Sequence, residues 1–136
     1  MKLAIAGAGG RMGRVLTRII EETPGCAIAG GLEPKGSALV GSPMGLTGIT
    51  ISDDPAALFK NINGIIDFTV PVATLSLVEF SAKAGIVHVI GTTGIDAAGD
   101  EKIRAAGKSA KPPGESAEHT RWVARHTDDA GRSLAG

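Results

Sequence analysis

Glycines stand at positions 7, 9, 10 and 13, directly behind the apolar run Leu3-Ala4-Ile5-Ala6 and in front of a helix-like pattern. Residues of this type, at this spacing, handle a phosphate. The chain must turn sharply at Gly7. Gly9 and Gly10 leave room for a pyrophosphate to touch main chain, and Gly13 lets a helix pack close to the strand. The anion then faces the helix N-terminus, where free N–H groups and the helix dipole favour negative charge. Gly7, Ala8, Gly9, Gly10, Arg11, Met12 and Gly13 therefore form the candidate cofactor-binding turn. The turn lacks the Gly-Lys-Ser/Thr of a nucleoside-triphosphate loop. Glu33 supplies a second element, twenty residues beyond Gly13 and past a second predicted strand. An acid there accepts hydrogen bonds from an adenosine ribose. The plainer reading is a tight turn and a solvated glutamate. Strand, glycines, helix, strand and acid in that order favour a dinucleotide.

Two later stretches, "DFTVP" (67–71) and "GTTG" (91–94), also follow predicted strands. In an open parallel sheet, ligands sit at the carboxyl ends of the strands. Both stretches would then share one rim with the glycine turn. Thr69, Thr92 and Thr93 offer hydroxyls and N–H groups, and Gly91 and Gly94 allow close main-chain approach. Taken alone, "DFTVP" is equally an ordinary strand-to-helix turn.

The elements that must hold these residues are readable from periodicity. Leu3 to Ala6 suits a strand buried on both faces. Met12, Val15, Leu16, Ile19 and Ile20 form a helical stripe that Thr23-Pro24-Gly25 stops. Cys26 to Leu32 reads as a second strand. Residues 33–48 read as loop, Ile49-Thr50-Ile51 as a short strand, and Asp53 and Asp54 as a helix cap and its neighbour before a helix through Phe59. Ile65 to Phe68 is another strand. Pro71 opens a helix with the stripe Thr74, Leu75, Val78 and Ala82, which Gly85 ends. Ile86 to Ile90 follows as a strand, with His88 expected to be a hydrogen-bonded core residue. Asp96 caps a last helix. Alternating strands and helices predict an α/β fold, a Rossmann-like doubly wound parallel sheet in a single domain over 1–108. Residues 109–136 lose the apolar periodicity and are expected to form an irregular or disordered tail, with a helical turn near Arg121 to Arg125.

Composition narrows the function classes. Fourteen basic residues balance fourteen acidic ones, so no broad basic field attracts nucleic acid or an anionic membrane. The single cysteine, Cys26, excludes an internal disulfide and a cysteine-based zinc cluster, and no metal site is expected. No apolar run approaches the ~20 residues of a membrane span. A cytoplasmic protein is the expectation.

"AIAGAGGRMGR", "LEPKGSALVG", "IDFTVPVAT" and "VIGTTG" stand in the order and spacing of the 4-hydroxy-tetrahydrodipicolinate reductases, also called dihydrodipicolinate reductases. The chain resembles that family over roughly residues 1–108. The resemblance implies hydride transfer from NADH or NADPH to a cyclic dicarboxylate imine, in the diaminopimelate branch of lysine biosynthesis, by a homotetramer. By position it implies that Gly7 to Met12 hold the pyrophosphate and Glu33 the adenosine ribose. Phe68 and Thr69 would lie along the cofactor. Gly91, Thr92 and Thr93 would sit beside the nicotinamide, with Thr93 near the substrate carboxylates.

The sequence departs from the family pattern in three places. Pro34, followed by Lys35, stands where many members carry an arginine for the 2′-phosphate of NADPH. Lys35 is a point charge without the fork of arginine, so a weaker preference for NADPH, or a preference for NADH, is expected. Val70 replaces a common arginine. The family's second domain, with its His-His-x-x-Lys-x-Asp stretch and tetramer sheet, has no counterpart here. His119, Arg121, Arg125, His126 and Asp128 do not stand at that spacing, and no catalytic residue is assigned. The abrupt change near residue 108 leads us to expect a truncated or frame-shifted gene or a fragment, with little or no turnover of its own and with a monomer as an open alternative to the tetramer. A non-catalytic NAD(P)-binding or subunit-interaction module is the second reading. A response-regulator receiver would need clustered acids after the first strand, where the glycines stand instead.

Overall fold

Strand β1 (Lys2–Ala6) lies inside a four-stranded sheet of order β2-β1-β3-β4, and every pairing is parallel. The computed structural model describes residues 1–108; the tail expected over 109–136 and its helical turn lie outside the described residues. The other elements are α1 (Arg11–Glu21), β2 (Ala27–Leu32), α2 (Pro55–Leu58), β3 (Gly64–Asp67), α3 (Pro71–Ala84), β4 (Val87–Ile90) and α4 (Ala97–Lys108). Central β1 is apolar on both faces because both faces are covered. Ile5 and Ile28 pack with Ile20 of α1 and with Met44 and Ile51 of the following loop. Ala4, Ala6 and Ile65 pack on the opposite side with Phe59, Ile62, Leu77 and Ile86. A third cluster, Val78, Ile90, Ile95 and Ile103, joins α3 to α4.

The expected strand over 49–51 is reduced to isolated bridges, Pro43 with Thr50 and Leu32 with Ser52. The glycines and prolines of 33–48 leave too little regular backbone on that side for a full ladder. The other strands and helices stand where the periodicity places them, within a residue or two at their ends.

The first helix corrects an expectation. Its buried residues are Gly13, Thr17 and Ile20, while Met12, Val15 and Ile19 are 45%, 51% and 51% exposed. The apolar stripe is therefore turned half away from the sheet. A Cβ on Gly13 would lie 2.2 Å from the Gly7 carbonyl oxygen, so the helix crosses the strand end at near-contact distance. Only small residues fit beneath the first two turns, and that contact sets the rotation of the helix.

Candidate functional site

The glycine turn is held by main chain. Gly7, at φ +83°, and Ala8 both donate to the Leu32 carbonyl, at 3.0 and 3.2 Å, which draws the turn over the end of β2. Gly10 N–H donates back to the Gly7 carbonyl at 3.1 Å. A side chain at Gly7 would collide with the Phe68 carbonyl at 2.7 Å, and one at Gly9 with Leu39 at 2.6 Å. These contacts, with that of Gly13, are reasons internal to the fold. Gly10 has none. A Cβ there meets only the Gly7 carbonyl, at 3.4 Å, and its φ of −77° suits any residue. Gly10 is also the N-cap of α1, which carries no side-chain cap and no acid in its first turn. The first-turn N–H groups of Arg11, Met12 and Gly13 are those that a helix leaves without internal partners.

Glu33 stands against this turn. The end of β2 runs beside Ser52, with Glu33 N–H bonded to the Ser52 carbonyl at 3.0 Å. The Glu33 carboxylate in turn accepts the Gly9 N–H at 3.0 Å. Acid and glycine turn, with the bonded residues 24 apart in the chain, are in direct contact. Ala8 is buried beneath the turn.

The third part comes from β3. Phe68 N–H continues the ladder to the Ala6 carbonyl at 3.2 Å. The Phe68 ring lies over Gly91, where a Cβ would be 2.3 Å from the ring edge. Gly7, Gly10, Glu33, Lys35, Phe68 and Thr69 thus share the wall of one cleft of about 500 Å³. That is a volume suited to a small ligand or cofactor. It opens between the ends of β1 and β3, where the strand order reverses direction, the position at which parallel sheets bind ligands. Gly91, Thr92 and Thr93, expected on the same rim, do not line this cleft: Gly91 lies under the Phe68 ring, and Thr92 is bonded behind Thr69. Thr93 is exposed, whereas Thr92 is buried.

Thr92 is buried because its hydroxyl belongs to a polar chain behind the rim. It meets Thr74 Oγ1 at 2.7 Å, accepts the Thr69 N–H at 3.2 Å and donates to Asp67 Oδ1 at 3.4 Å. Asp67 also accepts the Thr69 hydroxyl at 2.6 Å and its N–H at 3.1 Å. The other Asp67 oxygen meets His88 Nε2 at 3.0 Å, and His88 Nδ1 meets Ser81 Oγ at 2.7 Å. Asp67, His88, Ser81 and Thr74 are all completely buried. Burial works to raise the Asp67 pKa, but the hydrogen bond and charge of His88, with the bonds from Thr69 and Thr74, outweigh it and hold the carboxyl below its usual value. The serine-histidine-aspartate sequence of contacts resembles a hydrolytic triad only in composition. No substrate reaches it, and its visible effect is to fix the loops after β3 and β4.

His88 was legible as a bonded core residue, but its partners were not. Ser81 falls on the buried face of α3 at helical spacing from Thr74 and Val78, which is the signal that could have found it. Asp53 and Asp54 are expected to be a helix cap and its neighbour. Asp54 does cap α2, accepting the Ala57 N–H at 3.2 Å, while Asp53 lines the cleft. A Gly-Lys pair does occur at Gly107-Lys108, but it closes α4 rather than joining a strand to a helix.

A parallel sheet in this order, with helices over both faces and a glycine turn after its first strand, defines a Rossmann-type α/β unit. The chain belongs to the dihydrodipicolinate reductase family, whose N-terminal model it matches over residues 1–112. It is 45% identical over 117 residues to a 4-hydroxy-tetrahydrodipicolinate reductase of Parvibaculum lavamentivorans, covering 81% of this chain and 43% of that protein. It is 50% identical over 109 residues to the protein of the same name from Rhodopseudomonas palustris, covering 76% and 40%. The chain thus spans about two fifths of the length of these relatives. Among solved structures, the fold is similar to a dipicolinate-bound dihydrodipicolinate reductase from Paenisporosarcina sp. TG-14. That match has a TM-score of 0.65 and 18% identity, over 79% of this chain and 43% of that one. It is also similar to a myo-inositol dehydrogenase from Corynebacterium glutamicum, with a TM-score of 0.61 and 21% identity, over 80% and 34%. Among the described residues, no helix is long and apolar enough to cross a membrane.

Proposed function

We propose that this chain binds NADH or NADPH and is the nucleotide-binding portion of a 4-hydroxy-tetrahydrodipicolinate reductase. The observation that carries the reading is Gly10, a glycine that the fold itself does not require, standing on the cleft wall at an uncapped helix N-terminus. A pyrophosphate is the ligand that needs main chain exposed there. Gly7 to Gly13, Ala8 included, would cradle it, with the first-turn N–H groups of Arg11, Met12 and Gly13 as the donors, since those of Gly7, Ala8, Gly9 and Gly10 are engaged within the fold. Glu33, already oriented by Gly9, would accept hydrogen bonds from the adenosine ribose. Phe68 and Thr69 would lie along the cofactor, and Gly91, Thr92 and Thr93 beside the nicotinamide. There Thr92 would act by its main chain, since its hydroxyl is engaged. Thr93 would face the substrate carboxylates. When bound, the cofactor supplies the hydride for a cyclic dicarboxylate imine. The protein's part is to hold and orient it. We place this reaction in lysine biosynthesis through diaminopimelate, in the cytoplasm, within a tetrameric family, and the boundary of the nucleotide-binding unit at residue 108. For this chain alone we propose a monomer with little or no turnover. Pro34 and Lys35 in place of an arginine support a weak preference for NADPH or a preference for NADH.

Calorimetric titration of the chain with each nucleotide tests the reading. Saturable binding that Gly10→Val abolishes is expected. A folded chain that gives no heat with either nucleotide overturns it. One observation favours a second reading, a binding or subunit-interaction module: among the described residues, the charged side chains on the cleft wall are Glu33, Asp53 and Lys35, and none of them belongs to the stretches after β3 or β4. Imine-dependent oxidation of NADH that falls with Glu33→Ala and Thr93→Ala would sink that second reading.

A further inference from the structure

The cleft holds a second carboxylate. Ser52 is tied to the end of β2 by two main-chain bonds, its N–H to the Gly31 carbonyl at 2.9 Å and its carbonyl to the Glu33 N–H at 3.0 Å. This parallel register sets Asp53 alongside Glu33, and both line the cleft with Pro34 and Lys35. The next acid, Asp54, is occupied elsewhere: its carboxylate caps α2 through the Ala57 N–H, and its own N–H is held by Ser52 Oγ at 3.0 Å. The half-buried Asp53 carboxylate makes no hydrogen bond or ion pair with the described residues, and neither does Lys35. Among the described residues, the charged side chains on the cleft wall are Glu33, Asp53 and Lys35. Two negative charges therefore face one positive charge.

We propose that Asp53 is a specificity-determining residue that makes the cleft favour NADH over NADPH. The inference rests on the nucleotide-binding reading above. A ribose held by Glu33 presents its 2′ position to the same wall. In NADH that position is a hydroxyl, a donor that a carboxylate accepts. In NADPH it is a phosphate of about two negative charges. Lys35 alone would attract that phosphate. Asp53 offsets that attraction, and with Glu33 it leaves the wall net negative, in a cleft whose low-dielectric walls strengthen the effect. Pro34 contributes no N–H to the phosphate, so no main-chain donor at that position compensates.

The test is the ratio of dissociation constants for NADPH and NADH, read from nucleotide fluorescence at one fixed ionic strength on the 136-residue chain. The parent chain should favour NADH. Asp53→Asn and Asp53→Ser should each move the ratio toward NADPH by about five-fold or more. Asp54→Asn removes the same charge one residue away and should leave the ratio within about two-fold of the parent. A parent that favours NADPH overturns the proposal. So does an unchanged ratio in both Asp53 variants, an equal shift in Asp54→Asn, or loss of fold in both Asp53 variants by circular dichroism. A folded parent that binds neither nucleotide overturns the nucleotide-binding reading itself and this inference with it. Binding of both nucleotides with a ratio indifferent to Asp53 overturns the inference alone.

Discussion

Gly10 and Gly13 lie one helical turn apart, and a methyl group added to each meets different surroundings. At Gly13 it meets main-chain oxygens of Gly7 and Ala8 at 2.2 and 2.6 Å, atoms that cannot move aside without opening the turn. At Gly10 the protein offers it space. Gly13→Ala should therefore lower the melting temperature by several degrees or more, as expected for about 2 kcal/mol of overpacking. Gly10→Val should melt close to the parent and fail to bind nucleotide; melts and titrations on the same samples separate the two effects. Asp67 makes a different prediction. Its carboxyl is held below the usual aspartate value, so its bonds stabilise the folded state fully above the unfolded value of about 3.9. That stability is lost as pH falls through the lowered folded value. Asp67→Asn should cost about 3 kcal/mol at neutral pH, the scale of a broken buried pair. The gap from the parent should narrow below about pH 4. Urea unfolding at pH 7 and in acid measures it, and a gap that is constant with pH would refute the charge-based account.

At the scale of elements, α1 separates what periodicity can tell from what it cannot. Its helical character was legible from the 3-1-3-1 spacing, as were a cap for α2 within Asp53-Asp54, the end of α3 at Gly85 and the parallel alternation of the sheet. The rotation of α1 was not. Hydropathy puts Met12, Val15, Leu16, Ile19 and Ile20 on one stripe, but main-chain contact at Gly13 turns Gly13, Thr17 and Ile20 inward and leaves Met12, Val15 and Ile19 exposed. A close crossing is a property of two segments, invisible in the pattern of either. The same holds for the site. The grouping of the glycine turn with Glu33 and with Phe68 and Thr69 was readable because each carries a local signature, whereas residues 91–94, expected on the same rim, do not line the cleft. Asp53 and the partners of His88 depend on which segments the sheet brings side by side. The observed rotation predicts that Val15→Glu leaves stability within about 0.5 kcal/mol, as for an exposed position. Ile20→Ala should cost about 2–4 kcal/mol, as for a core isoleucine. The hydropathy stripe would make both changes damaging, and denaturant titration of the two variants decides between the pictures.

Across the whole molecule, the described residues carry three apolar clusters that share the two faces of one sheet. If the unit closes at residue 108 as proposed, a chain ending after Lys108 should melt within a few degrees of the full one and bind nucleotide equally well. An unfolded product would assign part of 109–136 to the domain. The sheet order also has a meaning in time. β1 is synthesised before both of its partners, β2 and β3, and β3 ends at Asp67. At about 5–20 residues per second, the ribosome takes on the order of 3–12 s to pass from Ala6 to Asp67. During that interval an inner strand of the sheet has an open side, and the turn at Gly7 lacks the Phe68 carbonyl against which it closes. The candidate binding site is thus completed only some time after the glycine turn at its centre has left the ribosome.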